Sequence, residues 1–545
     1  MKKFLALACT LVLMVSCISF AVAEEPVEIT YWRGELARDA CATYAETLWF
    51  QEIQNRLGFT VRIVGPAQGA DSNTAVNAML TSGEYPELLF FNWASQYNGG
   101  FEAGIEDGVI YDWSQDPESK EKLSNWWKVI EENDAVRKAV TMDNGSIVQF
   151  CHWEPNIARN AYWGYAIRTD WLDRLGLAVP ETLEDFEKVL YAFKEQDANG
   201  NGDPNDEIPL MGCNWSSNGN SYFLVNSLAA IWGMKVNQIY RDPKNDKMTY
   251  WTEYEDGEPF KAYVTTLAKW VADGILDPEF VSQNNDARVA KITSDKAGCF
   301  FCFPDDIASL EASLKLTLEE GGYADPEGAH IIGMVPVKGP DGIPYSYDWD
   351  SGFVNFAGYT QPTVITTAAV ENGTLDYCYQ FLNFLYSKEG SDIQNWGVEG
   401  VSYTIAEDGT YQWTDLITND PDYPPSSAVF KYALPTLGAW PKAMSYEAWG
   451  AMNLTVEDQI KSHKNYAVGT ADLDKPPFTL NPAETEAAQL VSTDINTAVS
   501  ETYVKVILGQ QPAEALDALL AQVEGMGVQS WIDAYQSAYE RYQAK

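Results

Sequence analysis

Short apolar runs typical of β-strands alternate along this chain with segments whose apolar residues recur at helical spacing. Residues 61–64 and 88–91 are two such strand-like runs, and residues 74–80 between them have a helical pattern. A capping box at 182–185 begins a strong amphipathic helix, and the segment 484–542 is helical by pattern with short interruptions. This alternation predicts an α/β fold.

The length of the chain predicts more than one folding unit. A chain of 545 residues exceeds what one ordinary domain contains, and it favours two large lobes. Hydrophobic residues make up 46% of the chain and charged residues 21%, which is enough apolar material for packed cores. The formal net charge of -42 repels nucleic-acid phosphates and anionic lipid, so neither is an expected partner.

The first residues resemble a targeting segment. Two lysines precede a short apolar run at 4–15, and a small-x-small motif ends at Ala23. We therefore expect residues 1–23 to be a cleaved signal peptide and the mature chain to begin at Glu24. Alternatively, the residues before Cys17 loosely resemble a lipobox, and a lipid on that cysteine would anchor the protein. Either reading predicts export to the periplasm or the outer face of the membrane.

Cysteines and histidines give little sign of catalysis. Cys299 and Cys302 form a lone CxxC inside an apolar run, and a strand explains it better than a zinc or redox site. The three histidines lie far apart in the sequence, and neither a nucleophile elbow nor a phosphate-binding loop is present. The sequence predicts that the protein is not an enzyme.

The sharpest local signal is the segment 197–207. Asp197, Asn199 and Asn201 place oxygens at alternate positions, and a glycine follows at the sixth. This spacing lets a tight loop turn its oxygens around a hard cation, as the start of an EF-hand loop does, with Asp203 contributing its backbone carbonyl. The glutamate at position twelve of a true EF-hand is missing, and an Asn/Gly-rich surface turn is the alternative.

Several segments, in this order, resemble extracellular solute-binding proteins of ABC importers, the family that includes LplA-like lipoproteins and alginate-oligosaccharide-binding proteins. The matching segments are AIRTDWL at 166–172, PETLEDF at 180–186, the acidic stretch 197–209, FLNFLYSKEG at 381–390, WGVEG at 396–400 and the tail 535–542. The resemblance implies a type II periplasmic-binding fold with two α/β lobes and a ligand cleft between them. It also implies a hinge crossed about three times, near residues 160, 297 and 362.

These crossings divide the mature chain into four expected pieces. Residues 24–160 and 297–362 would form lobe I, and residues 161–296 and 363–545 would form lobe II. In the resembling family, acidic residues before an Ile-Pro step complete the cation site, and Asp206 and Glu207 match that pair. The expected cofactor is one structural Ca²⁺, although the loop is one residue longer than the common version.

Aromatic residues suggest the class of ligand. They make up 13% of the chain, which contains 19 tryptophans, and tryptophan rings can cover the apolar face of a sugar. Loops that follow strands line the cleft in the resembling family. The candidate ligand-binding residues are Trp32, Asn92, Trp93, Trp215, Asp348, Trp349 and Trp440. For each tryptophan, packing in the core is the alternative.

We predict that the protein captures a carbohydrate outside the cytoplasm for import, and we expect this carbohydrate to be an oligosaccharide. The expected partners are this small-molecule ligand and the permease subunits of an ABC importer, and the protein itself is expected to be a monomer. A secreted carbohydrate hydrolase or lyase is an alternative, because it would share the export signal and the tryptophans. A sensory or peptide-binding lipoprotein of the same fold is a second alternative.

Overall fold

The computed structural model of the protein describes residues 27–66, 71–93, 97–156, 163–213, 223–321, 329–346, 362–436, 440–468 and 473–545. The strands are β1 Glu28–Trp32, β2 Thr60–Val64, β3 Leu88–Phe90, β4 His152–Trp153, β5 Gly164–Arg168, β6 Ile208–Met211, β7 Tyr240–Asp242, β8 Lys247–Thr249, β9 Ala297–Cys302, β10 Ile331–Gly333, β11 Thr363–Ile365, β12 Tyr403–Ile405, β13 Tyr411–Trp413 and β14 Lys442–Ala443.

The α-helices begin with α1 Leu48–Leu57, α2 Ser72–Ser82, α3 Gly100–Glu106, α4 Ser119–Lys122, α5 Ser124–Glu132, α6 Asp134–Val140, α7 Thr169–Leu175, α8 Leu183–Glu195, α9 Phe223–Asn226, α10 Glu258–Ala272 and α11 Asn285–Thr293. They continue with α12 Ile307–Glu320, α13 Ala368–Glu371, α14 Leu375–Leu385, α15 Lys388–Trp396, α16 Asp415–Thr418, α17 Pro425–Ala428, α18 Tyr446–Asn453, α19 Glu457–Tyr466, α20 Pro482–Ile507, α21 Ala515–Gly525 and α22 Val528–Ala544.

A four-stranded sheet with the order β11-β3-β1-β2 forms the centre of the first lobe. Strand β1 is parallel to β2 and β3, and β11 closes the edge antiparallel to β3, pairing Val364 with Leu89. Buried residues from 29–151 and 364–440 pack around this sheet. The carboxyl ends of the three parallel strands meet at one edge, where ligands of open α/β sheets bind.

A second four-stranded sheet, with the order β10-β5-β9-β6, forms the centre of the second lobe. Strand β6 is parallel to β9, whereas β5 is antiparallel to both β9 and β10. Helices α8, α10, α20 and α22 bury their apolar faces in the same cluster, which combines residues 163–345 with residues 473–542. The C-terminal helices therefore belong to the second lobe.

Successive described segments of the chain lie in different lobes at three places, and one of these places differs from the sequence expectation. The passages fall between residues 156 and 163, between 346 and 362, and between α18 and α19. A crossing near 297 was expected, but β9 begins there and lies between β5 and β6 of the second sheet. Residues 297–346 thus belong to the second lobe, and residues 363–453 to the first, because β11 pairs with β3.

Helix α19 returns the chain to the second lobe by packing on β10 and β5. The ring of Tyr466 lies over Gly164 and Gly333, where an added Cβ would stand 2.6 and 2.5 Å from it. The Ser462 hydroxyl accepts a hydrogen bond from the Gly333 amide at 2.7 Å. These two glycines leave the space that the helix needs, so a larger side chain at either position would push α19 off the sheet.

The predicted elements are confirmed where the structure describes them. Helix α8 begins as expected, with Thr182 Oγ1 accepting from the Asp185 amide at 3.1 Å, and it buries Phe186, Val189, Leu190 and Phe193. Strand β9 contains both Cys299 and Cys302, and these thiols are buried and free, as are those of Cys41, Cys151, Cys213 and Cys378.

The targeting segment and its Cys17 alternative lie outside the described residues. Within the part of the chain that the structure describes, no helix combines the length and apolar content needed to cross a bilayer.

Candidate functional site

The acidic loop, residues 197–207, connects α8 to β6. Gly200 and Gly202 have φ values of +75° and +90°, a backbone conformation that side chains other than glycine rarely adopt. The Gly202 amide donates to Asp197 Oδ2 at 2.9 Å, and the Ala198 amide donates to Glu207 Oε1 at 2.9 Å. The loop is thereby curled so that its first and last carboxylates face inward.

Two carboxylate oxygens in this loop are buried without a hydrogen-bond partner. They are Asp197 Oδ1 and Glu207 Oε2. Burial raises the pKa of Glu207, whose side chain is almost completely enclosed. Buried polar atoms are nearly always satisfied in proteins, so these two carboxylate oxygens are the atoms of the loop that a bound cation would satisfy.

Two asparagines of the loop both bind the carboxylate of Asp206. Both side-chain amides donate to its carboxylate, Asn199 Nδ2 at 3.1 Å and Asn201 Nδ2 at 3.1 Å. Their oxygens accept from backbone amides, and the carboxylate of Asp203 at the exposed edge accepts from the Asn205 amide at 3.2 Å. The donor set fits a calcium ion, which would bind the asparagine oxygens once these amides turned.

A buried ion-pair network connects the acidic loop to the second sheet. Arg168 at the end of β5 donates to Asp170 at 2.8 Å and to Asp295 at 2.6 Å, and its side chain is 1% exposed. The backbone carbonyl of Asp295 accepts from Asn199 Nδ2 at 3.1 Å. Arg174 donates to the carbonyl of Ala198 from the other side. The acidic loop is therefore held in place by contacts with the second sheet.

A cleft of about 840 Å³ separates the two lobes. The first lobe contributes residues 97–102 and the pair Met142 and Asp143 to its walls, and the second lobe contributes residues 479–490 around the start of α20. Its size falls in the range of small-molecule sites, which is about 300–1,000 Å³. Glu102, Asp143 and Glu486 make the described walls acidic.

Tyr97 forms a rigid aromatic surface on the first-lobe wall. Its hydroxyl donates to Asp107 Oδ2 at 2.9 Å, and burial together with this bond raises the pKa of Tyr97 to about 12. Behind it lies Trp93, with ring centroids 5.1 Å apart. The tyrosine ring is thus fixed by a hydrogen bond at one end and by a buried ring underneath, which suits it for stacking on a ligand.

Arg541 of α22 connects the two walls of the cleft. Its Nε lies 2.6 Å from Asp143 Oδ2 in the first lobe, and its guanidinium also binds Glu484 of α20. Lys545 adds a second contact to Asp143 at 3.2 Å. Although burial opposes ionisation, the hydrogen bonds from Arg541 and the Asn481 amide keep the pKa of Glu484 below its usual value.

The structure corrects two of the predicted ligand residues. Trp93 is 0% exposed and packs among Phe91 and Phe101, so it is a core residue. Trp440 is 1% exposed. Its ring centroid lies 5.1 Å from that of Trp49, and the guanidinium of Arg33 lies over its ring. Both rings are enclosed because residues distant in sequence cover them, which strand position alone does not reveal.

The other predicted ligand residues have different outcomes. Trp32 and Asn92 are half-buried at the carboxyl ends of β1 and β3, next to the edge of the first sheet. Trp215, Asp348 and Trp349 lie outside the described residues. Sequence reasoning missed Tyr97, although it follows the candidate Trp93 by only four residues. It also missed the start of α20, because the pattern of residues 484–542 predicts helix without indicating that its first turn faces a cleft.

Comparison with protein families assigns the chain by sequence. The family model for bacterial extracellular solute-binding proteins matches residues 49–425, which is well over half of the chain. Lipoprotein LipO of Bacillus subtilis is 25% identical over 345 residues, 62% of this chain. The fructooligosaccharide ABC transporter substrate-binding protein FusA of Streptococcus pneumoniae is 25% identical over 372 residues, 65% of this chain. The matched region spans 60% of the length of each of these relatives.

Comparison with solved structures agrees on the fold. An HMO-binding, ABC-transporter-associated solute-binding protein from Bifidobacterium longum infantis superposes with a TM-score of 0.70 at 18% identity, over 95% of this chain and 99% of that chain. The alginate-binding protein AlgQ2, solved without calcium ion, superposes with a TM-score of 0.66 at 18% identity, over 95% and 98%. The predicted two-lobe α/β fold is confirmed.

Proposed function

The chain belongs to the bacterial extracellular solute-binding protein family, and from that premise we propose that it captures an oligosaccharide between its lobes for an ABC importer. The observation that carries this proposal is the cleft, whose walls come from both lobes. A ligand that touches both walls favours the closed arrangement of the lobes, so binding energy becomes a change in shape that membrane subunits can recognise.

The acidic residues of the cleft favour a neutral oligosaccharide over an anionic one as the ligand. The lining residues within the described chain include Glu102, Asp143 and Glu486 but no lysine or arginine, although Arg541 and Lys545 pair with Asp143 at its edge. The whole chain carries a net charge of -42. This field repels uronates and other polyanions. The carboxylates accept hydrogen bonds from sugar hydroxyls, and the side-chain amides of Asn98 and Gln489 can both donate and accept them. Tyr97 covers an apolar sugar face.

The acidic loop holds one structural calcium ion. Asp197, Asn199, Asn201, Asp206 and Glu207 would supply side-chain oxygens, and Asp203 its backbone carbonyl. The two orphaned carboxylate oxygens support this assignment. The loop connects α8 to β6, and none of its residues is among the described residues that line the cleft, so calcium would stabilise this lobe without contacting the ligand.

The protein works as a binding protein rather than as an enzyme. The family description and the names of relatives such as FusA describe binding and transport, and Tyr97 gives the described part of the cleft wall an aromatic surface. It is exported as a monomer and delivers the ligand to permease subunits. Its mature chain begins at Glu24, or at a lipidated Cys17 on the outer face of the membrane.

A ligand screen followed by ligand recovery tests the proposal. Mature protein is mixed with neutral fructo-, gluco- and manno-oligosaccharides, with uronate oligosaccharides and peptides as controls, and thermal shift and calorimetry are measured. We expect a neutral oligosaccharide to bind, to reduce the radius of gyration in X-ray scattering, and to be recovered unchanged. Recovery of a cleaved sugar would support a hydrolase or lyase, and binding of peptides alone would contradict the carbohydrate assignment.

A further inference from the structure

A second cluster of potential metal ligands lies on the second lobe, away from both the cleft and the acidic loop. It joins Glu311 of α12, His330 just before β10, and Asp458 in the first turn of α19. One ligand atom from each of these side chains lies within 4.8 Å of the other two. Within the described part of the chain, this is the one group of three or more His, Cys, Asp or Glu residues with that geometry.

The distances show an incompletely satisfied cluster. His330 Nδ1 lies 2.7 Å from Asp458 Oδ2 but 4.0 Å from Glu311 Oε1, beyond hydrogen-bond distance. Glu311 is only 9% exposed, and its Oε1 also accepts from the Ile331 amide at 2.8 Å. His330 therefore contacts one carboxylate of the cluster and leaves the more buried one at a distance.

The two carboxylates repel each other in this setting. One oxygen of Glu311 and one oxygen of Asp458 lie within 4.8 Å of each other, and Glu311 is largely shielded from water. A divalent cation would remove the repulsion, because it binds both carboxylates and the imidazole at once. Its bonds of about 2 Å place ligand atoms about 3.3 Å apart. The 4.0 Å between His330 Nδ1 and Glu311 Oε1 would therefore shorten, and the 2.7 Å between His330 Nδ1 and Asp458 Oδ2 would lengthen.

We propose that Glu311, His330 and Asp458 bind a divalent first-row transition metal ion, with zinc as the probe that tests it. An imidazole with two carboxylates is a ligand set for zinc and its neighbours, whereas calcium takes oxygens alone. The half-exposed ring of His330 gives the ion a route from solvent and leaves a position for water.

The position of this cluster gives the ion a structural role. Asp458 lies in the helix that follows the third passage between the lobes, and Glu311 and His330 belong to the second lobe. A bound ion would therefore fasten the start of α19 to this lobe, and it would do so independently of ligand capture in the cleft.

Zinc titration of the mature protein tests the proposal. The protein is treated with chelator, the acidic loop is saturated with calcium, and zinc binding is measured by calorimetry. We expect one zinc ion per chain, at least tenfold weaker binding by His330→Ala and Asp458→Asn, and unchanged binding by Glu457→Gln. Glu457 is the matched control because it is an exposed carboxylate one residue away in the same helix turn.

Cobalt substitution provides a second measurement. Co²⁺ in the site should give visible absorption from nitrogen and oxygen ligands, and His330→Ala should lose it. Because His330 is half-exposed, this variant should fold even if Asp458→Asn does not. The proposal is overturned if the wild-type protein binds no stoichiometric zinc, if His330→Ala binds it equally well, or if cobalt shows the charge-transfer band of a thiolate ligand.

Discussion

The ring of Trp93 lies beneath the ring of Tyr97, with centroids 5.1 Å apart and planes inclined by 46°. Trp93 is fully buried, whereas Tyr97 forms part of the wall of the cleft between the lobes. The pair thus divides two tasks, because the tryptophan supports the fold and the tyrosine is available to a ligand.

Replacing Tyr97 should weaken ligand binding with little effect on folding. Loss of a stacked ring removes about 1–3 kcal/mol, so we expect Tyr97→Ala to raise the Kd about ten- to a hundredfold. Tyr97→Phe keeps the ring and loses only the bond to Asp107, so its Kd should change much less. Calorimetry with the identified sugar measures both, and an unchanged Kd for Tyr97→Ala would remove this residue from the site.

Replacing Trp93 should have the opposite pattern. A buried tryptophan changed to alanine costs about 3–5 kcal/mol of unfolding free energy, because a cavity replaces its contacts. We therefore expect Trp93→Ala to lower the Tm strongly. Chemical denaturation of the same variant measures the loss of unfolding free energy. A Trp93→Ala protein of normal stability with lost affinity would return this residue to the ligand site.

Calcium should stabilise the second lobe through the acidic loop. A metal that binds only the folded state stabilises it by mass action, so chelation should lower the Tm of the wild-type protein. Asp197→Ala and Glu207→Gln should abolish that response, because each removes a carboxylate with an orphaned oxygen. Asp408→Asn is a control in an ordinary exposed turn. Elemental analysis that finds no calcium after equilibration with it would contradict the assignment.

Arg168 should be essential for stability because it lies between two acidic partners. Arg168→Met leaves buried Asp295 unpaired, and breaking such a pair costs about 3–5 kcal/mol. Burial already raises the pKa of Asp295, and Arg168 opposes that shift. Without the arginine, protonation of Asp295 in the folded state should relieve the penalty.

The loss of stability in Arg168→Met should therefore be largest at neutral pH and shrink as the pH falls through the raised pKa of Asp295. The double variant Arg168→Met with Asp295→Asn removes the unpaired charge and should recover part of the stability at neutral pH. Denaturation curves across pH measure both effects. A penalty that does not change between neutral and acidic pH would show that the buried charge is not its cause.

The contact between Arg541 and Asp143 should hold the lobes together in the unliganded protein. Such a partly exposed pair contributes on the order of 1 kcal/mol, so Arg541→Gln should shift the population of lobe arrangements by less than tenfold. X-ray scattering should show a larger radius of gyration, and high salt should do the same to the wild-type protein. Lys505→Gln is the control, since its ion pair with Glu501 lies within one helix.

The acidic loop shows what sequence reasoning could reach. Its oxygens at alternate positions come from local spacing, and the structure curls that stretch with its first and last carboxylates facing inward. Helix α8 and strand β9 were predictable for the same reason, because a capping box and a short apolar run act over few residues.

The lobe boundaries show where that reasoning failed. The resemblance implies that the strand at 297 lies in the first lobe, yet the strand pairs with β5 and β6, whose residues lie more than eighty positions earlier in the chain. The prediction that Trp440 contacts ligand is wrong for the same reason. Its ring is covered by Tyr44 and Trp49, which lie about four hundred residues earlier in the chain.

The sequence by itself determined the α/β elements, the resemblance to exported solute-binding proteins and the oxygen spacing of the cation loop, because all of these depend on residues that are near neighbours in the chain. Only the tertiary structure decided which strands share a sheet, that Trp93 is buried while Tyr97 lines the cleft, and that Glu311, His330 and Asp458 meet. These relationships depend on contacts between distant segments, and the side-chain burial that results from such contacts has no local pattern in the sequence.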